Sequence, residues 1–460
     1  MTPNERPVGW RRLMRWLAEL AALLLAAVMA IAAALRVSPL KTVTVAGQVI
    51  NVSTTTPSLS FAGPGEIDLF GQSFPTRLRF LGPVRPKLDL THITINSELA
   101  NFLQDTSPPG AERTLGNHLA SGWIQYFTWE TAISGLGALV LLGAAAGWRR
   151  LPGRTTIKLL AAGLVLTEAI NLGAIMLAAY GAPAALRQVR SLNQLVGSEP
   201  SAPDIKSTAH SLPSVQAIVM GDSTAAGAGL PPVPDPSGVD RACGRSADSY
   251  AQDLARANGW QVLNVACNSA TVGQGILGPQ GRGGQTVPAQ IGVAQQAQSA
   301  SIVIVSIGAD DVGWSAMVRY CAVAPRCDDR ASTAYFQQQL ASFSKDYLQM
   351  LNRLAALTGH PIVIVNRYYN PFDLHLNCLH SSGLTTPKLR TLTSRLATLN
   401  AVLARGAADF GFISTQPDFA GHEMCTEQPY VQGLQAPAPF HPSTQGELAT
   451  ALADQAALTR

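Results

Sequence analysis

The hydrophobic pattern changes character part-way along this chain. As far as residue 185 the apolar residues form long runs, whereas beyond about residue 213 they form short runs separated by amphipathic stretches. Three early runs, 16–36, 124–148 and 157–180, are long and apolar enough to cross a bilayer as helices. Between the first two, residues 37–120 open with alternating β-branched and polar residues, TVTVA at 42–46 and QVINVS at 48–53. Gly63-Pro64-Gly65 and Gly82-Pro83 punctuate the rest of that segment. A period of two predicts half-buried strands and those glycine-proline groups predict turns, so this segment is read as a small β-rich domain.

A polar linker, 181–213, contains Pro200 and Pro203 and leads into residues 214–460. There, strand-like apolar runs recur at 215–220, 261–266, 301–307, 361–365 and 411–415, with amphipathic helical stretches such as 391–407 between them. Apolar strands alternating with helices predict a parallel sheet covered on both faces, an α/β three-layer sandwich of flavodoxin-like order. In such sheets ligands bind beyond the carboxyl ends of the strands, so chemistry is sought there. The first strand ends at Gly221-Asp222-Ser223, within AIVMGDSTAAGAGL (217–230), and sets a serine on a tight glycine turn as a candidate nucleophile. By itself the tripeptide is also what an ordinary turn looks like.

Charge and cysteine content place these parts. With 33 Lys and Arg against 29 Asp and Glu, the net charge is +4, and the basic residues form no stripe interleaved with aromatics. Nucleic acid is therefore excluded as a partner. All six cysteines, Cys243, Cys267, Cys321, Cys327, Cys378 and Cys425, lie in the last part without paired CxxC spacing, which predicts disulfides and an oxidising compartment. Six cysteines allow fifteen connectivities.

The segment 1–15 carries Arg6, Arg11, Arg12 and Arg15, and Arg149, Arg150, Arg154 and Lys158 cluster between the second and third spans. Basic flanks stay inside, so the amino terminus is expected in the cytoplasm and the carboxyl-terminal domain outside the cell (inner) membrane. The cysteines point to the same side independently. The first run exceeds the apolar core of a signal peptide, so an uncleaved anchor is expected. Trp123, Tyr126, Phe127 and Trp129 at one end of the second span, and Trp148 at the other, sit where interfacial aromatic belts are expected. Glu168 and Asn171 fall near the middle of the third span. A protonated glutamate bonded to a neighbouring helix is the expectation there, with no part in catalysis. The β-rich segment holds no residues of an active-site type, so a spacer or partner-binding role is expected of it. Its Asn51-Val52-Ser53 sequon is too short a match to carry weight.

The strand ends continue the pattern: Cys267-Asn268-Ser269-Ala270 after the second and Gly308-Ala309-Asp310-Asp311 after the third, with Phe440-His441-Pro442 near the carboxyl terminus. Taken in order with Cys243-Gly244-Arg245-Ser246, Ser249-Tyr250, Asn264-Val265-Ala266-Cys267, the segment from Phe419 to Cys425 and Gly446, these residues resemble the SGNH (GDSL) hydrolases. Within them the likeness is to the secreted, disulfide-bearing actinobacterial esterase and lipase branch, over about residues 215–458. The resemblance implies Ser223 as nucleophile and His441 as its general base. It implies an oxyanion hole from Ser223, Ser269 and Asp310, supported by Asp222 and the backbone near Ala438. It also implies disulfides in sequence order, Cys243 with Cys267, Cys321 with Cys327 and Cys378 with Cys425.

Three positions depart from the family pattern. Ala438 stands where many members carry an aspartate three residues before the histidine, so a main-chain carbonyl is expected to orient the imidazole of a Ser-His dyad. Ser269 stands in place of a glycine, which is tolerable if the backbone conformation is kept, since serine retains the N–H. Asp310 stands in place of an asparagine amide that donates to the oxyanion, and an ionised carboxylate has nothing to donate. Losing one such donor costs about 3 kcal/mol of transition-state stabilisation. Either Asp310 stays protonated, buried beside Asp311, or the site has kept binding and lost hydrolysis.

Other patterns carry less. Gly273 to Gly278 fits GxGxxG but lies beyond its strand and runs on into Gly281, Gly283 and Gly284, so a flexible loop is expected rather than a dinucleotide site. His375, Cys378 and His380 lack a fourth ligand, and His422-Glu423 lacks the second histidine of HExxH, so no metal and no cofactor are expected. The chain is therefore read as a membrane-anchored extracytoplasmic serine esterase or lipase whose partners are the membrane and an ester substrate, a lipid or an acylated envelope component. The alternatives are a degenerate scaffold and an envelope O-acyl transferase using the same dyad.

Overall fold

An apolar run in a helix satisfies its backbone amides within its own segment, and three such runs become three long helices. In this computed structural model, which describes residues 8–45, 48–58, 60, 62–69, 71–93, 111–186, 215–375 and 378–459, they are α1 (Val8–Val37), α2 (Ala111–Trp148) and α3 (Gly153–Leu186). Each contains a stretch long and apolar enough to cross a membrane: Trp16–Val37, Ser121–Trp148 and Gly153–Met176. All three begin before the runs that announced them. Hydropathy marks where a helix suits lipid, whereas polar residues such as Glu112 and Arg113 continue the same hydrogen-bonded ladder. The β-rich segment therefore gives way to helix at Ala111 rather than after residue 120. Arg6, residues 94–110 and residues 187–213 of the linker lie outside the described residues.

The alternating segment forms one five-stranded sheet. Its strands are β1 (Lys41–Val45), β2 (Gln48–Thr54), β3 (Ala62–Leu69), β4 (Gln72–Leu81) and β5 (Pro86–Ile93), in the order β1-β2-β5-β3-β4. Val43 faces Ile50 across the antiparallel β1–β2 pair, and β3 and β5 run parallel with Ile67 opposite Leu88. These apolar residues are buried, and Gly122 of α2 lies against Val43.

That contact corrects the expected aromatic belt. Trp123, Tyr126 and Phe127 are buried within the protein, and the Tyr126 hydroxyl donates to the Leu35 carbonyl at 3.2 Å. Only Trp129 and Trp148 of the five face outward, at 58% and 92% exposure. Deeper along α2, Glu130 is fully buried and accepts a 2.8 Å hydrogen bond from Asn171 Nδ2, which also reaches Thr131 Oγ1 and Ser134 Oγ at 3.3 Å. Glu168 lies against Gly135. Asn171 thus has a carboxyl partner, Glu130, that hydropathy had concealed inside an apolar run.

From residue 215 onward a second sheet is built from β6 (Ala217–Gly221), β7 (Val262–Asn264), β10 (Ile302–Ser306), β11 (Ile362–Asn366) and β12 (Ile413–Thr415), with an antiparallel hairpin of β8 (Gln280–Arg282) and β9 (Gln285–Val287) outside it. The order is β12-β11-β10-β6-β7 and every pair is parallel. Counted within this sheet it reads 2-1-3-4-5, the flavodoxin-like order, whose direction reverses between β6 and β10. The helices α4 (Ser223–Ala226), α5 (Gly238–Cys243) and α6 (Tyr250–Asn258) lie between β6 and β7. Before β10 comes α7 (Gln290–Gln296); α8 (Trp314–Val323) and α9 (Arg330–Ala355) precede β11, α10 (Thr386–Asp409) precedes β12, and α11 (Thr444–Leu458) closes the chain.

Ala217, Val219, Ile302, Ile304 and Ile364 pack with Tyr250, Ala251 and Leu254 of α6 and Ala451 of α11. The intervening Ile218, Met220, Val303, Val305, Val363 and Val365 are equally buried, as a sheet covered on both faces requires. The result is an α/β three-layer sandwich. Its second strand is shorter than the apolar run 261–266: the Asn264 side chain accepts from Ala266 N at 3.0 Å, while Val265 N and Cys267 N still donate to Val219 O and Gly221 O of β6. The helix expected from 391 starts at Thr386, with a proline in its first turn, where a missing N–H costs nothing.

Candidate active site

Gly221 has φ +145, and a Cβ there would collide with the carbonyl oxygen of Ser306 on β10. Only glycine lets the two strands on either side of the reversal approach this closely. The Gln290 side chain brackets the same residue, accepting from Gly221 N at 2.7 Å and donating to Gly221 O at 2.9 Å. Asp222 then caps α4, accepting from Thr224 N at 2.9 Å, and Ser223 becomes the first residue of that helix. Asn264 Nδ2 donates to Ala225 O at 2.9 Å, so the end of β7 holds α4 from the other side.

His441 arrives from the carboxyl-terminal loop. Its Nε2 lies 2.8 Å from Ser223 Oγ, and its Nδ1 lies 3.2 Å from the Pro439 carbonyl. The carbonyl that faces the imidazole is thus one residue beyond Ala438, whose own carbonyl accepts from His441 N at 3.2 Å. An Nδ1–H donated to that carbonyl leaves Nε2 free to take the serine proton. Burial lowers the imidazole pKa below its ordinary value, favouring the neutral ring, and the two carbonyls oppose the shift. The loop is pinned by groups with no sequence motif. The Tyr369 hydroxyl donates to Phe440 O at 2.7 Å, Gln432 N donates to His441 O at 2.7 Å, and Gln432 Nε2 donates to Ala228 O at 2.7 Å and Pro442 O at 2.9 Å.

Ser223, His441, Ser269 and Asp310 line one cleft of about 530 Å³. Ser269 has φ +61, the left-handed conformation that glycine adopts without penalty, so serine here keeps the geometry of the residue it replaces. Burial raises the Asp310 pKa above the usual carboxylate range, with the Arg282 guanidinium opposing the shift. Asp311 does not bond to Asp310. Its Oδ1 accepts from Val272 N at 2.9 Å, tying the loop after β10 to the loop beyond Ser269, and burial pushes its carboxyl up to about 8. Asp222 is also raised, by burial and then by the charge of Asp310, while its bond from Tyr368 works the other way.

Tyr368, Tyr369, Gln290 and Gln432 escape sequence reasoning. The first two lie just past the end of β11, where the rule that chemistry gathers at strand ends points as it does for the first three strands. The glutamines give no signal. Disulfides join Cys243 to Cys267, Cys321 to Cys327 and Cys378 to Cys425. Cys378 is therefore no metal ligand, and His380 Nε2 lies 3.2 Å from Thr386 Oγ1. His422 stacks on Tyr430 with ring centroids 3.9 Å apart. The glycine segment from Gly273 leads into the β8–β9 hairpin rather than a helix.

A family model described as the GDSL-like lipase/acylhydrolase family matches residues 219–449, half of the chain. The chain belongs to this family. It is a carboxylic ester hydrolase of the GDSL type, and the match begins two residues before Gly221 and ends within α11. This GDSL-type hydrolase is 29% identical over 254 residues to a protein named lipase from Streptomyces rimosus, covering 52% of this chain and 87% of that one. It is 26% identical over 243 residues to lipase 1 of Streptomyces coelicolor, covering 50% and 81%. Among solved structures, the extracellular lipase of S. rimosus aligns at 21% identity over 53% of this chain and 99% of its own, with a TM-score of 0.45. Phospholipase A1 from Streptomyces albidoflavus aligns at 20% identity over 53% and 100%, with a TM-score of 0.42.

Proposed function

We propose that this GDSL-type hydrolase is a membrane-anchored, extracytoplasmic serine esterase that cleaves lipid or acylated envelope esters through a Ser223–His441 dyad. The 2.8 Å approach of His441 Nε2 to Ser223 Oγ in an open cleft carries the reading. His441 takes the hydroxyl proton as Oγ attacks the ester carbonyl carbon, giving a tetrahedral oxyanion. The imidazolium returns that proton to the leaving alcohol as the C–O bond breaks. Water then attacks the acyl-serine with His441 again as base, and the carboxylic acid departs. The backbone N–H groups of Ser223 and Ser269 are the oxyanion donors, joined by Asp310 when it is neutral. The Pro439 carbonyl fixes the imidazole tautomer, with less support for the imidazolium than a carboxylate gives.

Anchoring is supported by the three apolar helices, and the orientation by Arg149, Arg150 and Arg154 between the second and third. Three disulfides in the hydrolase unit are the chemistry of an oxidising compartment. In this arrangement 1–15 is cytoplasmic, 37–120 and 214–460 are extracytoplasmic, and 181–213 links the last span to the hydrolase domain. The test is a fluorophosphonate probe applied across about pH 5 to 8, run beside a panel of esters of increasing chain length. Labelling and hydrolysis that vanish in Ser223→Ala support the reading. Labelling that survives Ser223→Ala, or none at any pH, overturns it.

A further inference from the structure

The cleft around Ser223 has a mixed lining. Trp314, Val318, Leu396, Leu399, Leu434 and Phe440 give it an apolar wall. Its charged side chains other than the histidine are Arg282, Arg319 and Asp310, so two guanidiniums stand against a single carboxyl that burial disposes to be neutral. Arg282 projects from the end of β8, and Arg319 lies on α8, beyond Trp314 and Val318 of the apolar wall.

The two arginines differ from Arg245 and Arg395 of the same unit. Arg245 is tied to Asp240 at 2.9 Å and to the carbonyls of Val265 and Ala266, and Arg395 donates to Cys327 O at 2.9 Å and Ser332 Oγ at 3.0 Å. Among the described residues neither Arg282 nor Arg319 has a hydrogen-bonded or ion-paired side-chain partner; Arg282 is half-buried and its charge bears on Asp310, and Arg319 is exposed to solvent. A guanidinium presents a planar fork of donors that matches a phosphate or carboxylate. A cleft lined both by guanidiniums that no protein group engages and by apolar side chains suits a molecule with an alkyl or acyl chain at one end and an anion at the other.

We propose that Arg282 and Arg319 form an anion subsite of the Ser223 cleft, so that the preferred substrate is an ester whose alcohol part carries a phosphate-like anion, with its acyl chain on the Trp314–Leu399 wall. The naming of a substrate rests on the ester-hydrolase reading above; the subsite itself does not need turnover. Asp310 fits the arrangement. An anion seated on Arg282 replaces Asp310 as the counter-charge of that guanidinium and removes the influence that favours its ionised form.

The experiment uses the full chain in lipid nanodiscs, carrying Ser223→Ala to prevent turnover, and measures binding of three probes. These are octyl phosphate, the neutral 1-O-octylglycerol and inorganic phosphate. Octyl phosphate is expected to bind about tenfold or more tighter than 1-O-octylglycerol, the value of one charge-assisted hydrogen bond or more. Arg282→Gln and Arg319→Gln should each remove most of that preference, and Arg319→Lys should restore part of it. Equal affinity for the two amphiphiles, or a preference unchanged in both glutamine variants, overturns the subsite. Inorganic phosphate binding as tightly as octyl phosphate reduces it to a free-anion site and overturns the substrate class. If Ser223 fails the ester panel while the octyl phosphate preference persists and depends on both arginines, the hydrolase mechanism fails and the subsite stands.

Discussion

The hydroxyl of Tyr368 donates to Asp222 Oδ2 at 2.5 Å and accepts from Ala309 N at 2.9 Å, so one buried phenol joins the residue before Ser223 to the residue before Asp310. Its own backbone is fixed by Asn400, which accepts from Tyr368 N at 2.8 Å and donates to Tyr368 O at 2.7 Å. Tyr368 spans the two strand ends flanking the reversal of the sheet, and as a positioning residue it would hold their turns in register. Tyr368→Phe leaves the Ala309 amide and a buried carboxyl oxygen without a partner, which costs about 1–3 kcal/mol of stability. Because the Asp222 and Asp310 turns then shift independently, kcat should fall about tenfold or more while KM changes less. Denaturant titration with steady-state kinetics checks this, and a variant that lost stability but kept kcat would restrict Tyr368 to a structural role.

With Asp310 proposed as an oxyanion donor, its protonation sets the expected pH profile. Its folded pKa is raised, so the neutral, donating form is present in mild acid and is lost as pH rises through that value. The His441 pKa is lowered, so the free base persists further into acid than an ordinary histidine would. Activity is therefore expected to peak on the acid side of neutrality and to decline toward alkaline pH. Asp310→Asn supplies a donor at every pH and should abolish the alkaline decline, raising kcat there by up to about 10² to 10³. Matching alkaline limbs in wild type and variant would remove Asp310 from the oxyanion hole.

How far the sequence carries these conclusions depends on the kind of signal each residue leaves. The parallel sheet is legible because strands buried on both faces must be apolar throughout, and Ser223 because a glycine turn at a strand end is a local pattern. Contacts between distant segments are not. Nothing near Gln290 or Gln432 in the chain announces that their amides will hold Gly221 and Pro442, and Glu130 is hidden because one carboxyl scarcely alters the mean hydropathy of a long apolar run. The aromatics Trp123 and Tyr126 mislead for the related reason that hydropathy cannot distinguish a ring facing lipid from one facing β1 and β2. Disulfide pairing lies beyond spacing alone and becomes readable only through the family resemblance.

Ser269 keeps a left-handed backbone at φ +61 that the side chain makes costly. Ser269→Gly should raise stability by about 1 kcal/mol or less, because the relief of strain is partly offset by the greater freedom of glycine in the unfolded chain. The N–H is retained, so kcat should be unchanged within about twofold if the amide alone serves the oxyanion. Thermal unfolding paired with ester turnover tests both statements. A large loss of kcat in Ser269→Gly would mean that the serine hydroxyl takes part.

Asp311 should make the hydrolase less stable in alkali than in mild acid. Its folded pKa of about 8 lies above the 3.8 of an ordinary aspartate, so between those values the folded state holds a proton that the unfolded state has released. A raised carboxyl pKa contributes stability that is complete below the unfolded value and is lost as pH climbs toward the folded one. The slope is at most about 1.4 kcal/mol per pH unit for one group. Asp454, raised to about 7 by burial, adds a dependence of the same sign over a narrower range. Asp311→Asn keeps an acceptor for Val272 N and removes the titration, so its unfolding temperature should fall less steeply from about pH 5 to pH 8 than that of the wild type. Parallel slopes would mean that Asp311 is ionised in the folded protein and that its unpartnered Oδ2 is balanced by a charge elsewhere.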